Sequence, residues 1–83
     1  MKYYIGKIEE RNGEFEYTSD YLFTTDGDPN TYAETMAEEW RGNGNWDAEH
    51  EGYWCEHTLI LNDGFREVSK EDFDVLCKYL IVL

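Results

Sequence analysis

Basic residues are scarce in this chain. Seven Lys and Arg stand against nineteen Asp and Glu, for a formal net charge of −12. A phosphate backbone is held by Lys and Arg, so the shortage argues against direct binding of nucleic acid. It argues equally against docking on anionic lipid. No apolar run approaches the about 18 residues that a membrane-crossing helix needs. The segment Met1-Lys2-Tyr3-Tyr4-Ile5-Gly6-Lys7 lacks the apolar stretch of a secretory signal. Cysteine is limited to Cys55 and Cys77. Two are too few for a secreted disulfide framework, and a reduced, cytoplasmic setting is expected. Without staples, a short chain must draw its core from large side chains.

Those side chains are present. Three Trp, seven Tyr and four Phe are spread over 83 residues, and each can bury roughly 150–250 Å². So many aromatics argue for one folded domain, residues 1–83, despite the charge.

Local patterns predict the elements. Tyr3 to Glu10 reads as a strand, and Arg11-Asn12-Gly13-Glu14 as a hairpin turn, because Asn-Gly tolerates positive φ. Phe15 to Thr25 reads as a second strand. Phe15, Tyr17, Tyr21 and Phe23 share one parity, as in a half-buried strand. Asp28 is a good N-cap and Pro29 suits the first helical position. The helix is expected over 29–41. Tyr32, Met36 and Trp40 fall on one stripe facing the sheet, with Glu34, Glu38 and Glu39 pointing away. Residues 42–52 read as an acidic, glycine-flanked loop carrying Trp46. Tyr53 to Leu61 is expected as a third strand and Asn62-Asp63-Gly64 as a second turn. Phe65 to Val68 is a short fourth strand. Ser69 caps a second helix, with Asp72 in the capping-box position. Ile81-Val82-Leu83 is an apolar tail that needs cover. The expected fold is therefore α+β in the order ββαββα, an antiparallel four-stranded sheet with both helices packed on one face.

The charge is not evenly placed. Residues 14–28 hold five acids and no base, and residues 29–62 hold seven acids and one base, Arg41. Like charges at Glu34 and Glu38, spaced i and i+4, cost about 0.2–0.5 kcal/mol on a helix. Self-repulsion on this scale suggests a basic partner that compensates it. Arg pairs with carboxylate much as it pairs with phosphate. Duplex DNA carries one charge per about 1.7 Å, so twelve charges correspond to roughly 20 Å, or about six base pairs.

In size, acidity and aromatic richness the chain resembles the small DNA-mimic inhibitors of phages and plasmids, of anti-CRISPR and anti-restriction type. The likeness covers the whole chain and has no diagnostic motif. It implies a non-catalytic inhibitor that acts in a bacterial host. Such a protein would occupy the DNA site of a basic DNA-binding protein or nucleoprotein complex. The residues expected to stand in for phosphates are Glu34, Glu38, Glu39, Asp47, Glu49 and Glu51, with Trp46 as an aromatic anchor. The alternative is an interaction module or homodimer, joined at a sheet edge or by the apolar tail, whose acidity serves solubility.

Other chemistry is weaker in the sequence. Cys55 and His57 fall on one face of the expected strand and, with His50 and Cys77, could be counted as zinc ligands. Their spacing matches no standard zinc pattern. As nucleophile and base they lack an identifiable third group. Asp26-Gly27-Asp28-Pro29-Asn30 starts like a calcium loop but fails at Thr31 and Ala37, where an EF-hand needs Gly and Glu. A turn and a helix cap account for it, so no cofactor or metal is expected.

Overall fold

Two eleven-residue strands form the first hairpin of the computed structural model, which describes residues 1–83. They are β1 (Lys2–Asn12) and β2 (Phe15–Thr25). They pair antiparallel from Lys2↔Thr25 to Asn12↔Phe15. The loop is Gly13-Glu14, one residue beyond the expected pair. Gly13 has φ of +60°, which suits a type II′ turn with glycine at its first central position.

Asp28 caps α1 (Pro29–Glu39) as expected. One carboxylate oxygen accepts the Asn30 N–H at 2.9 Å and the other the Thr31 hydroxyl at 3.1 Å. Both oxygens of the would-be calcium ligand are thus engaged. Ala33 and Ala37 are fully buried, so the helix lies close to the sheet. Tyr32 stacks on Phe23 with centroids 4.6 Å apart, and Trp40 tilts against Tyr21 at 5.8 Å.

The remaining elements are β3 (Asn45–Asp47), β4 (Gly52–Cys55), β5 (Thr58–Val68), α2 (Lys70–Leu76) and β6 (Ile81–Val82). The α+β class holds, but the sheet has six strands in the order β3-β4-β5-β1-β2-β6. It is mixed, because β6 runs parallel to β2. Three local features replace the expected four-stranded antiparallel sheet. The expected loop contains β3. The expected third strand breaks at Glu56-His57, a two-residue turn with Glu56 at φ +56° and Cys55 opposite Thr58. The expected turn at Asn62-Asp63-Gly64 is a bulge inside β5. Asp63 and Gly64 oppose the single residue Lys7, and Gly64 takes φ of +94°. The Asn62 side chain accepts the Gly64 N–H at 3.0 Å, so this amide keeps a partner.

The helices lie on opposite faces of the sheet, which corrects the one-face expectation. Tyr4, Ile8, Tyr21, Phe23 and Ile60 form one core with Ala37 of α1. Leu22, Val68 and Phe73 form another on α2, with Tyr3 and Ile5 beside them. Neighbouring strand residues face opposite ways, so a strand running Tyr3-Tyr4-Ile5 requires cover on both sides. The tail is pinned to the sheet. The Leu83 N–H donates to the Leu22 carbonyl at 2.8 Å, and the Tyr32 hydroxyl donates to the Leu83 carbonyl oxygen at 2.8 Å. Phe15 and Tyr17, expected in the core by parity, are 65% and 55% exposed because the hairpin overhangs it. No helix is long and apolar enough to cross a membrane.

Candidate functional site

Of the acids in residues 14–62, Glu34, Glu38, Glu39, Asp47, Glu49 and Glu51 lie on α1 and the β3–β4 hairpin, while Glu14, Glu16, Asp20, Asp26 and Asp28 lie on the β1–β2 hairpin and the loop before α1. The Gly44 N–H donates to the Glu38 carbonyl at 2.8 Å. A side chain at residue 44 would meet Cβ of Tyr53 at 2.7 Å, so glycine permits this contact. The ring of Trp46 tilts against Tyr53 at 5.0 Å and stays 55% exposed. Trp46 and Tyr53 lie on the α1 side of the sheet. Glu38 and Glu39 are exposed next to them, while Glu49 and Glu51 are exposed on the turn joining β3 to β4. None of these four carboxylates has a cationic partner within ion-pair distance.

Two expected phosphate stand-ins have other work. Glu34 points toward the sheet, contrary to expectation. One oxygen accepts the Tyr53 hydroxyl at 2.8 Å and the other the Asn62 side-chain amide at 2.9 Å. It joins α1 to β4 and β5. Burial, then the bond to Glu34, pushes the Tyr53 phenol up to about 12.

Asp47 organises the β3–β4 hairpin from the opposite face. One oxygen accepts both the Trp54 indole N–H and the His50 ring nitrogen, each at 2.8 Å. The other accepts the Glu49 N–H at 3.0 Å. The Trp54 bond, then the His50 bond, lowers its pKa to about 2. A group with a depressed folded pKa stabilises the fold above its unfolded value of about 4 and loses that contribution as pH falls. The Trp54 indole N–H resonance should therefore lose protection between pH about 4 and about 2. An Asp47→Asn variant should lack this step. The same step in that variant would show that another group is responsible.

Bases are segregated by face. Lys7 and Arg11 share the parity of Tyr3 and Ile5, and Arg66 lies opposite Ile5. Lys70 is on α2 and Lys78 follows it. The α1 side has only Lys2 and Arg41, and both face carboxylates outside the cluster. Lys2 lies 3.9 Å from Glu67, and Arg41 lies 2.7 Å from Glu10.

Glu10 was not singled out from the sequence. It is 7% exposed on the α1 face of β1. One oxygen accepts the Trp40 indole N–H at 2.6 Å, and the other accepts Nε of Arg41. That contact holds the Arg41 guanidinium above its ordinary pKa. The available signal was parity, since Glu10 continues the buried series of Tyr4 and Ile8.

Cys55 and His57 do not share a strand face, because His57 belongs to the Glu56-His57 turn. The Cys55 thiol donates to the Arg41 carbonyl at 3.3 Å. Cys77 caps α2 on the other side of the sheet. Asp47, Glu49 and His50 bring their ligand atoms within 4.8 Å of one another. A cation there would compete with Trp54 for the Asp47 oxygen. A shallow concavity of about 320 Å³ at the bulge is lined by Lys7, Asp20, Asp63 and Arg66, among others. Neither Cys55 nor His57 lines it. No family model, curated protein or solved structure matches this chain.

Proposed function

We propose that this protein is a DNA-mimicking inhibitor that places the acidic surface of α1 and the β3–β4 turn in a basic DNA-recognition site. Its target is a DNA-binding protein or nucleoprotein complex of bacterial defence, and the inhibitor blocks target DNA there without catalysis. The observation that carries the reading is the segregation of charge. Glu38, Glu39, Glu49 and Glu51 are exposed without cationic partners, while five of the seven bases lie on the other face or follow α2. Solubility alone has no need of this sorting. An eleven-residue helix is about 16 Å long. That length spans about five base pairs of duplex axis. Trp46 supplies the apolar anchor beside the carboxylates. Glu34 and Asp47 position this surface, so the contacting set is smaller than the acid count.

Glu38→Gln, Glu39→Gln, Glu49→Gln and Glu51→Gln together should leave the fold intact. Exposed ion pairs contribute about 0.2–1 kcal/mol each. The combined variant should bind a captured target about four- to several-hundred-fold more weakly. Surface plasmon resonance at two salt concentrations measures this. The loss should shrink at high salt, and an unchanged affinity at low salt would refute the assignment.

A further inference from the structure

The outer edge of β2 is covered by β6 only at Tyr21 and Leu22. Asn12 and Phe15 flank the two-residue loop and face each other in the ladder. Hydrogen-bonding direction alternates along an antiparallel strand. Phe15, Tyr17 and Ser19 thus direct their backbone groups at β1, while Glu16, Thr18 and Asp20 direct theirs outward. The carbonyl of Leu22, next in the even series, faces outward and accepts from Leu83. β6 pairs only with Tyr21 and Leu22. The outward N–H and C=O groups of Glu16, Thr18 and Asp20 therefore meet no strand.

The side chains on this edge are sorted. Phe15 and Tyr17 stack on one face with centroids 6.3 Å apart and planes 12° apart. Both remain more than half exposed. Glu16 and Asp20 lie on the other face, where Arg11 and Lys7 of β1 are their cross-strand neighbours; Lys7 is not within ion-pair distance of Asp20. Arg11 lies 3.8 Å from Glu16 but is closer to Glu9, at 3.1 Å. Charged residues often blunt an open edge, yet two exposed aromatics work against that purpose. A second copy fits poorly. Antiparallel self-pairing centred on Thr18 sets Glu16 opposite Asp20 of the other copy, and centring on Tyr17 sets Glu14 opposite Asp20. Like charges directly opposite are destabilising.

We infer that the β2 edge takes an extended peptide segment of a partner protein as an added strand. Its alternate residues are Lys or Arg facing Glu16 and Asp20, and its intervening residues are apolar and cover Phe15 and Tyr17. Main-chain bonds to Glu16, Thr18 and Asp20 supply the pairing, and the alternation supplies selectivity. The inference does not depend on DNA mimicry.

The probe is a capped hexapeptide alternating lysine and valine, with the same peptide N-methylated throughout as control. Hydrogen exchange followed by NMR should show the amides of Glu16, Thr18 and Asp20 protected at least tenfold more at saturation. The N-methylated peptide keeps its charge but lacks the donors, and should bind at least tenfold more weakly. Thr18→Pro removes an outward N–H without touching the β1 ladder, a placement that edge strands tolerate, and should weaken the peptide by a similar factor. Should that variant not fold, the methylated peptide decides alone. Equal binding of the methylated peptide would overturn the inference, as would unchanged exchange at the three amides. Protection that rises with protein concentration in the absence of peptide would assign the edge to a second copy instead. Combining Glu38→Gln with Glu39→Gln should leave peptide affinity unchanged; a loss there would place the peptide on α1 and also overturn the inference.

Discussion

Replacing Gly6 with alanine is expected to remove a large share of the stability of this domain. The added Cβ would clash with Cζ of Tyr21 and lie 2.7 Å from its Cε1. Tyr21 is fully buried, with Phe23 stacked at 5.6 Å and Trp40 tilted against it at 5.8 Å. Its ring cannot step aside without displacing both. Its hydroxyl is buried without a hydrogen-bond partner, and burial pushes the phenol up to about 12. Overpacking a core costs about 1–3 kcal/mol and sometimes more, and contact with a rigid ring belongs at the upper end. Domains have about 0.05–0.15 kcal/mol of stability per residue, or roughly 4–12 kcal/mol for this length. A loss of about 3 kcal/mol is thus a large share. Urea unfolding followed by tryptophan fluorescence should show a much lower midpoint. Tyr21→Leu makes room at the clash, so the double variant should lose less than the two single losses combined. Strict additivity would mean that the ring is not the obstacle.

The second large effect is expected at Glu10. Glu10→Ala leaves the part-buried indole N–H of Trp40 without an acceptor and frees Arg41 from its ion pair. Hydrogen bonds to a charged group contribute about 1.5–3 kcal/mol. The Arg41 side chain is 54% exposed, so water screens that half of the contact. Most of the loss comes from the indole. The expected destabilisation is about 2 kcal/mol, with an unchanged urea slope. Glu10→Gln keeps an acceptor for Trp40 and should recover about half. Equal losses in both variants would place the effect in the charge and its Arg41 pair instead. Because Trp40 and Arg41 follow the end of α1, the Ala variant should also loosen the acidic surface around Glu38 and Gly44.

The β1–β2 hairpin, the Asp28 cap and the Tyr32, Met36 and Trp40 stripe rest on local rules of spacing and turn chemistry, and they appear where expected. Errors arise where one local signal serves two structures. Asn62-Asp63-Gly64 has the composition of a turn, but positive φ at Gly64 serves a bulge equally well. The Glu56-His57 turn has neither glycine nor proline, so nothing in its composition marked it. The one-face expectation rests on the element order ββαββα and takes no account of Tyr3 and Ile5. Their apolar character beside Tyr4 already required cover on the second face. In the acidic site, residue type revealed the cluster but not the use of each carboxylate. Glu34 and Asp47 look like Glu38 and Glu49 in sequence, and only tertiary donors such as Tyr53, Asn62 and Trp54 separate them.

The most direct test is competition between this protein and duplex DNA for one target. A bacterial protein captured by the immobilised chain would be washed with a short duplex, then with an equal charge concentration of simple salt. A DNA mimic predicts release by the duplex at concentrations where salt has no effect, and poor capture by the Glu38, Glu39, Glu49 and Glu51 glutamine variant. Capture that survives duplex DNA and is equally strong with the neutralised variant would contradict the account.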